Sequence, residues 1–211
     1  MGKSVLRQLL RSLLFIAVTL AILTMDITAG QDSLPTFGTT VVIPSGLQGH
    51  VYLIDKDTVQ LPDFHTLPSI GTVYTNSLAV TPRNFRQGFP GITRRFEWFA
   101  IDYDGRFWIE QAGLYRFRLT SDDGASLYVD EQLIADNDGL HESQTRNASL
   151  RLSVGIHRIR IAYFQGPRFH VALVLEVAPP GQIFRVFNTE EFKPPPNPED
   201  WPRSPCINSP P

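Results

Sequence analysis

Residues 113–130 read GLYRFRLTSDDGASLYVD, in which two runs of alternating apolar and polar side chains flank a short polar turn. Alternation with a period of two is typical of a β-strand that buries one face. The turn consists of Asp122, Asp123 and Gly124, residue types that favour tight turns. The stretch therefore predicts two strands joined at this turn. A tight turn at Asp130 and Glu131 then leads into a third strand at 132–136.

Short strands of the same kind extend over most of the chain. Runs of β-branched and aromatic residues are separated by Gly, Pro, Asn and Asp, and no long stretch repeats with the period of a helix. We predict an all-β fold, an antiparallel β-sandwich. Its strands are expected at about 96–103, 106–110, 114–120, 125–130 and 148–154, with turns at Asp104-Gly105, Ala112-Gly113 and Gly155.

The clearest strand covers residues 169–177. Its odd-numbered positions are all apolar, so they share one face: Phe169, Val171, Leu173, Leu175 and Val177. The preceding run, 158–163, alternates Ile and Tyr with Arg. Residues 165–168 separate the two runs and contain a Gly-Pro pair, which predicts a hairpin turn between them.

The regions around these strands differ in composition. Residues 56–91 contain four prolines, so long loops are expected there, with one or two short strands near 72–74. Residues 183–187 are compatible with one further strand, and from Pro194 onward eight of eighteen residues are proline, which predicts an extended tail. The predicted organisation is a signal at 1–30, a linker at 31–44, the sandwich at 45–178 and a tail at 179–211.

The N-terminus has the composition of an export signal. Lys3, Arg7 and Arg11 precede an uncharged, mostly apolar run at 13–25, and small residues follow at 28–30. This run is shorter than the roughly 20 residues of a spanning helix. We therefore predict a cleaved signal helix, with an uncleaved anchor as the alternative. Either places the domain outside the cytoplasm, as a secreted, periplasmic or cell-surface protein whose membrane contact is limited to this segment.

Charge and cysteine content restrict the partners further. The formal net charge of −2 becomes about −4 once Lys3, Arg7, Arg11 and Asp26 are removed with the signal. A chain without basic surplus is not expected to bind nucleic acid. Cys206 is the single cysteine, so no internal disulfide is expected and stability must come from the core.

Several of these segments together resemble the PA-14 domain, a jelly-roll-like β-sandwich module of anthrax protective antigen, yeast flocculins and bacterial glycosidases. The resemblance covers about residues 46–178 and implies the same sandwich. The motifs that carry it are GLQGHVY at 46–52, GLYRF at 113–117, SDDG at 121–124, LYVD at 127–130, IAD at 134–136 and GIHRIRIAY at 155–163.

The resemblance also implies a role for the aspartate pair. In lectin-type members these two residues share a cis peptide and bind Ca²⁺, which in turn ligates sugar hydroxyls; the implied metal ligands here are Asp122 and Asp123. Ca²⁺ takes six to eight oxygens, so another loop must contribute ligands. Sugar-binding members supply an Asn there, whereas the matching loop here, 165–168, has Arg168 and no Asn. The alternative is an Asx-type turn in which the carboxylates accept backbone N–H groups and Gly124 adopts a positive φ.

A second polar cluster follows at 136–142. It lacks the spacing of an EF-hand and is explained equally well as a connection between strands. The resemblance places it near the aspartate turn, where Asp136, Asp138 and His141 would complete a shared pocket. The candidate ligand-binding residues are therefore Asp122, Asp123, Asp138, His141 and Arg168.

Motifs of an enzyme are missing from the sequence. The five histidines have no metal-ligand spacing, and no Gly-x-Ser-x-Gly motif is present. Adjacent aspartates on one turn do not flank a glycosidic bond from opposite sides. The sequence predicts a non-catalytic module that binds carbohydrate at a cell or polymer surface. The alternative is a structural or protein-interaction domain of the cell envelope, with an envelope protein as its partner.

Aromatic residues are numerous, and most are expected in the core. A platform that stacks on sugar needs an exposed aromatic side chain. Trp108 and Phe169 are the two candidates for such a platform.

Overall fold

The computed structural model describes residues 36–87, 95–197 and 199. The predicted signal segment and Cys206 lie outside these residues. No helix within the described ranges is long and apolar enough to cross a membrane. The strands are β1 Leu47–Leu53, β2 Gly71–Thr75, β3 Ala79–Asn84, β4 Phe99–Ile109, β5 Gly113–Asp122, β6 Ala125–Val129, β7 Gln132–Asn137, β8 Gln144–Leu152, β9 Gly155–Gln165, β10 His170–Ala178 and β11 Arg185–Val186.

These strands form two antiparallel sheets, which confirms the predicted all-β sandwich. A six-stranded sheet has the order β2-β1-β4-β9-β6-β7, and a second sheet has the order β11-β10-β5-β8. β3 also belongs to the second sheet, because β3 and β11 pair with successive parts of β10. The sequence pattern did not reveal β3. Its Pro82 cannot donate to a ladder, a restriction that an edge strand tolerates.

The core lies between the two sheets and follows the alternation of the strands. Val171, Leu173, Leu175 and Val177 of β10 are almost fully buried, as their shared face predicted, but Phe169 precedes the strand and is 69% exposed. Residues outside 45–178 also enter this core. They are Phe37, whose carbonyl accepts the hydroxyl of Tyr103, and Phe187 and Phe192.

One predicted turn is wrong. Asp104 and Gly105 lie inside β4, which pairs with β9 without interruption. A Cβ at position 105 would lie 2.7 Å from Cδ2 of Leu47, a buried residue. Gly105 is therefore needed for close packing inside a strand. In the sequence, the Asp104-Gly105 pair has the composition of a turn, which explains the wrong prediction.

The predicted hairpin at 165–168 is also wrong. β9 pairs with β4 and β6 in the six-stranded sheet, whereas β10 pairs with β5 in the other sheet. The segment between them crosses the sandwich. The other predicted elements need only small changes: β2 lies at the expected position, β7 follows the Asp130-Glu131 turn, and the strand predicted at 148–154 begins earlier and ends at Leu152.

Candidate functional site

The aspartate turn joins the two sheets at one end of the sandwich. β5 ends at Asp122 in the second sheet, and β6 begins at Ala125 in the six-stranded sheet. The peptide between Asp122 and Asp123 is cis, as the resemblance implied. The turn therefore places two carboxyl groups where the chain crosses between layers.

Gly124 was expected to adopt a positive φ, but its role in the turn is different. It is not among the residues with positive φ. A Cβ at this position would lie 2.3 Å from Cε1 of Phe164 and 2.8 Å from Oδ1 of Asp138. Glycine is required because the turn packs against these two side chains.

The side chain of Asp123 is held by N–H donors. The residue is 5% exposed. Its Oδ2 accepts the backbone N–H of Gly166 at 2.7 Å and the Nε2 of Gln165 at 3.2 Å, and the backbone N–H of His141 donates to the same carboxyl group. Burial raises the pKa of Asp123 to about 6, against the opposing effect of the Gly166 hydrogen bond.

Asp122 is equally buried but lines a surface groove. Its carbonyl accepts the Tyr163 hydroxyl at 3.0 Å, and its carboxyl group accepts the backbone N–H of Ser143. Burial raises the pKa of Asp122, while nearby His170 lowers it. The groove, about 520 Å³, is also lined by Glu142, Ser143 and His170.

Gln165, a buried polar residue that organises this end of the sandwich, was not among the residues predicted from the sequence. Gln165 is fully buried; its Nε2 donates to Asp123 and to the carbonyl of His170, and its Oε1 accepts the Tyr163 hydroxyl at 2.7 Å. A signal for it exists in the sequence. The inward alternation of Ile159, Ile161 and Tyr163 extends to position 165, where a buried amide requires partners.

Asp138 ties two loops together. Its Oδ1 accepts the backbone N–H groups of Leu61, at 2.8 Å, and Gly139, at 2.7 Å. Asp136 accepts the backbone N–H of Asp138 at 3.1 Å, as in an Asx turn. These contacts fix the 136–139 loop beside Gly124.

His141 lies at the same end and is anchored by its own loop. Its Nδ1 lies 2.8 Å from the carbonyl of Glu142, and its Nε2 lies 2.9 Å from the carbonyl of Asn137. Both ring nitrogens are thus occupied by carbonyl oxygens. The coulombic effect of His141 lowers the pKa of both aspartates, against the larger effect of burial, which raises it.

Arg168 follows Gly166, which binds the turn, but forms no hydrogen bond or ion pair with either aspartate. Its backbone N–H donates to Oε2 of Glu97 at 3.2 Å, and its side chain is exposed. It lines a second groove, which we call the loop groove. The loop groove measures about 560 Å³ and is lined by Asn84, Phe85, Arg86, Phe96, Arg168 and Phe169.

The loop groove contains the exposed aromatic surface of this end. Phe169 is 69% exposed and Phe96 45%, whereas Trp108 is 6% exposed and belongs to the interior. Of the two platform candidates, only Phe169 is accessible. Asn84 and Arg86 also line the groove of Asp122, so the two grooves are neighbours.

The donors around the aspartate turn do not fit a calcium centre. Within the described part of the chain, no three His, Cys, Asp or Glu side chains converge on one point. Asp123 accepts three N–H donors, Asp138 faces backbone N–H groups, and the side chain of Arg168 contains no oxygen. Ca²⁺ needs six to eight oxygens, and this arrangement directs hydrogen-bond donors at the carboxylates instead.

The sequence of the chain matches the model of a known protein family. The family model described as the PA14 domain matches residues 89–186. No curated protein sequence gives a significant match to this chain.

Solved structures share the fold at low sequence identity. A PA14 sugar-binding domain from an RTX adhesin has a TM-score of 0.56 and 20% identity, covering 69% of this chain and 96% of that chain. The epithelial adhesin 9 A domain from Candida glabrata, solved in complex with Galβ1-3GlcNAc, has a TM-score of 0.51 and 13% identity, covering 75% and 94%. An anti-sigma factor domain-containing protein has a TM-score of 0.56 and 19% identity; the match covers 73% of this chain and only 50% of that protein.

Proposed function

Because this chain contains a PA14 domain, we propose that it is a non-catalytic module that binds carbohydrate outside the cytoplasm. The observation that carries this proposal is the loop groove, where the exposed ring of Phe169 borders a concave surface. Two relatives in fold are described as sugar-binding or were solved with a galactoside, which supports the same class of ligand. The charged N-terminus and apolar run at 13–25 support export.

The chemistry of the loop groove suits a sugar. A sugar ring presents an apolar C–H face and a rim of hydroxyl groups. The ring of Phe169 offers a partner for the apolar face, and Asn84, Arg86 and Arg168 provide polar groups beside it. Binding by such a groove requires no metal, so we place the ligand here rather than on the aspartates.

The aspartate turn has a supporting role in this proposal. Asp123 fixes the backbone at Gly166, three residues before Phe169. The turn thereby positions the segment that carries the aromatic platform. Both carboxyl groups lie on one turn and accept backbone N–H groups, which does not suit the opposed acid and base of a glycosidase.

A glycan array probed with the full chain tests the proposal. We expect binding to a defined set of glycans that is unchanged by a calcium chelator. Phe169→Ala is expected to lower the affinity about tenfold or more, since it removes a large exposed aromatic contact. Ile183→Ala is the matched control, because Ile183 is an 83% exposed apolar residue away from both grooves. A chain that binds no glycan on the array, although folded, would overturn the proposal.

One observation favours a second function, a structural or protein-interaction domain of the cell envelope. The carboxyl groups of Asp122 and Asp123 are engaged by backbone N–H groups, as a turn that only stabilises the fold requires. In that case the chain binds no glycan on the array, and the exposed surface around Phe169 contacts a protein partner instead.

A further inference from the structure

We infer that the loop groove selects an acidic glycan, one that carries a uronic acid carboxylate. This inference rests on the proposed function and names the class of sugar that the same groove takes. It depends on the charges that line the groove and on where their counter-charges lie.

Two arginines that line the loop groove have no carboxylate partner among the described residues. The guanidinium groups of Arg86 and Arg168 form no ion pair with any described residue. Two partly buried arginines elsewhere in the fold do have carboxylate partners: Arg160 binds Asp102 at 2.7 Å, and Arg118 binds Glu176 at 3.3 Å. The loop groove therefore has positive charge available for a ligand.

The described acidic groups near this end form no ion pair with these arginines. No carboxylate belongs to the described lining of the loop groove. Glu97 lies beside the loop groove, where its Oε2 accepts the backbone N–H of Arg168. Asp122 and Glu142 line the neighbouring groove, which they share with Arg83 and Arg86. The loop groove, whose described lining has two arginines and no carboxylate, is therefore the groove that attracts a glycan anion.

The combination of groups suits a carboxylated sugar better than a nucleic acid. A planar guanidinium binds a carboxylate through two parallel N–H···O bonds. Phe169 and Phe96 offer exposed rings for the apolar face of the same sugar. Nucleic acid would require a broad basic surface, whereas this chain has a net charge of −2 and only two arginines in this groove.

The test measures binding of trigalacturonic acid and of its methyl ester to the full chain by calorimetry. The two probes differ in charge but share their sugar rings. We expect the acid to bind at least about tenfold more tightly than the ester, and the difference to shrink as salt is raised from 50 to 500 mM. Arg86→Gln and Arg168→Gln should each remove about tenfold of the affinity for the acid. Arg151→Gln is the control, because Arg151 is an exposed arginine of β8 outside both grooves.

The outcomes separate this inference from the proposed function. Equal affinity for acid and ester, or selective binding of neutral glycans on the array, would leave carbohydrate binding standing and overturn the acidic ligand. Acid binding that Arg151→Gln weakens as much as Arg168→Gln would show a general charge effect and would also overturn it. Absence of binding to trigalacturonic acid, its ester and every glycan on the array would overturn both.

Discussion

Two aspartates hold the same pair of strands at opposite ends. β6 pairs with β9 in antiparallel register. Asp123 lies just before β6 and accepts the backbone N–H of Gly166, just after β9, at 2.7 Å. Asp130 lies just after β6 and accepts the backbone N–H of Arg158, near the start of β9, at 2.8 Å. We call these contacts the Asp123 clamp and the Asp130 clamp.

The two clamps differ in their surroundings. Asp123 is 5% exposed, and its second partner is the buried amide of Gln165. The side chain of Asp130 is 49% exposed, and its second partner is Nδ1 of His157 at 2.5 Å. Water can replace the carboxylate of Asp130 but has little access to the partners of Asp123. The same hydrogen bond is therefore expected to matter more at the Asp123 clamp.

The largest effect is expected at the glycine of the Asp123 clamp. Gly124→Ala places a Cβ 2.3 Å from Cε1 of the fully buried Phe164, so the free energy of unfolding should fall by about 3 kcal/mol. Gly71→Ala is the control, since a Cβ there meets no atom within 4 Å. Urea unfolding of both variants measures the difference. Similar stabilities would show that the turn can relax around the new atom.

Removing each carboxylate compares the clamps directly. Asp123→Ala leaves the N–H of Gly166 and the amide of Gln165 without an acceptor, and it should cost about 3 kcal/mol. Asp130→Ala should cost about 1 kcal/mol, because solvent reaches the vacated position. Urea unfolding at pH 5.5 reports both values. Equal losses would contradict the role assigned to burial.

The Asp123 clamp is expected to make stability depend on pH. The pKa of Asp123 is raised to about 6 by burial, so between its usual value and pH 6 the folded state binds more protons than the unfolded state. Stability due to this group is therefore highest at low pH and falls as pH rises. The loss between pH 4.5 and pH 7 is about 2 kcal/mol.

Asp123→Asn supplies the reference for that pH dependence, because it removes the titrating group and keeps an acceptor. We expect the stability of the unmodified chain, relative to this variant, to decrease from pH 4.5 to pH 7. A relative stability that is flat or rises with pH would contradict the raised pKa.

The turn of the Asp130 clamp should gain stability from a glycine, whereas the turn of the Asp123 clamp already requires the one it has. Glu131 has a φ of 68°, in the region that favours glycine. Glu131→Gly is expected to raise the free energy of unfolding by up to about 0.5 kcal/mol. Gln132→Gly, one residue later in β7, should lower it by about 0.5–1 kcal/mol. Thermal unfolding of the two variants measures this difference. A Glu131→Gly variant that is no more stable than Gln132→Gly would show that the φ of Glu131 is not a source of strain.

The smallest effect is expected from calcium. Because the carboxyl groups of the Asp123 clamp face N–H donors, millimolar Ca²⁺ should leave the Tm of the full chain unchanged within about 1 °C. A rise in Tm that disappears in Asp122→Asn/Asp123→Asn would instead establish a metal site at the turn. The neutral variant is the necessary comparison, since it separates ion binding from a general salt effect.

The sequence predicted the parts of this site that depend on local pattern. The turn at Asp122–Gly124 and the strands on either side follow from alternation and turn residues. The exposure of Phe169 and the burial of Trp108 did not follow, because both lie in aromatic-rich β segments. Gln165 was overlooked because the sequence does not show whether a polar residue at the end of a strand is buried or exposed. Its burial depends on the opposite sheet, which covers it.

The sequence by itself determined that the chain is an antiparallel β-sandwich and that one of its turns carries two adjacent aspartates. The alternation of apolar and polar residues is a local property of each strand, so it can be read directly from the sequence. Only the tertiary structure decided that β9 and β10 lie in different sheets, that Gly105 and Gly124 make room for packed side chains, and that Arg86 and Arg168 share one groove. These features depend on contacts between residues far apart in the chain, which local alternation does not specify.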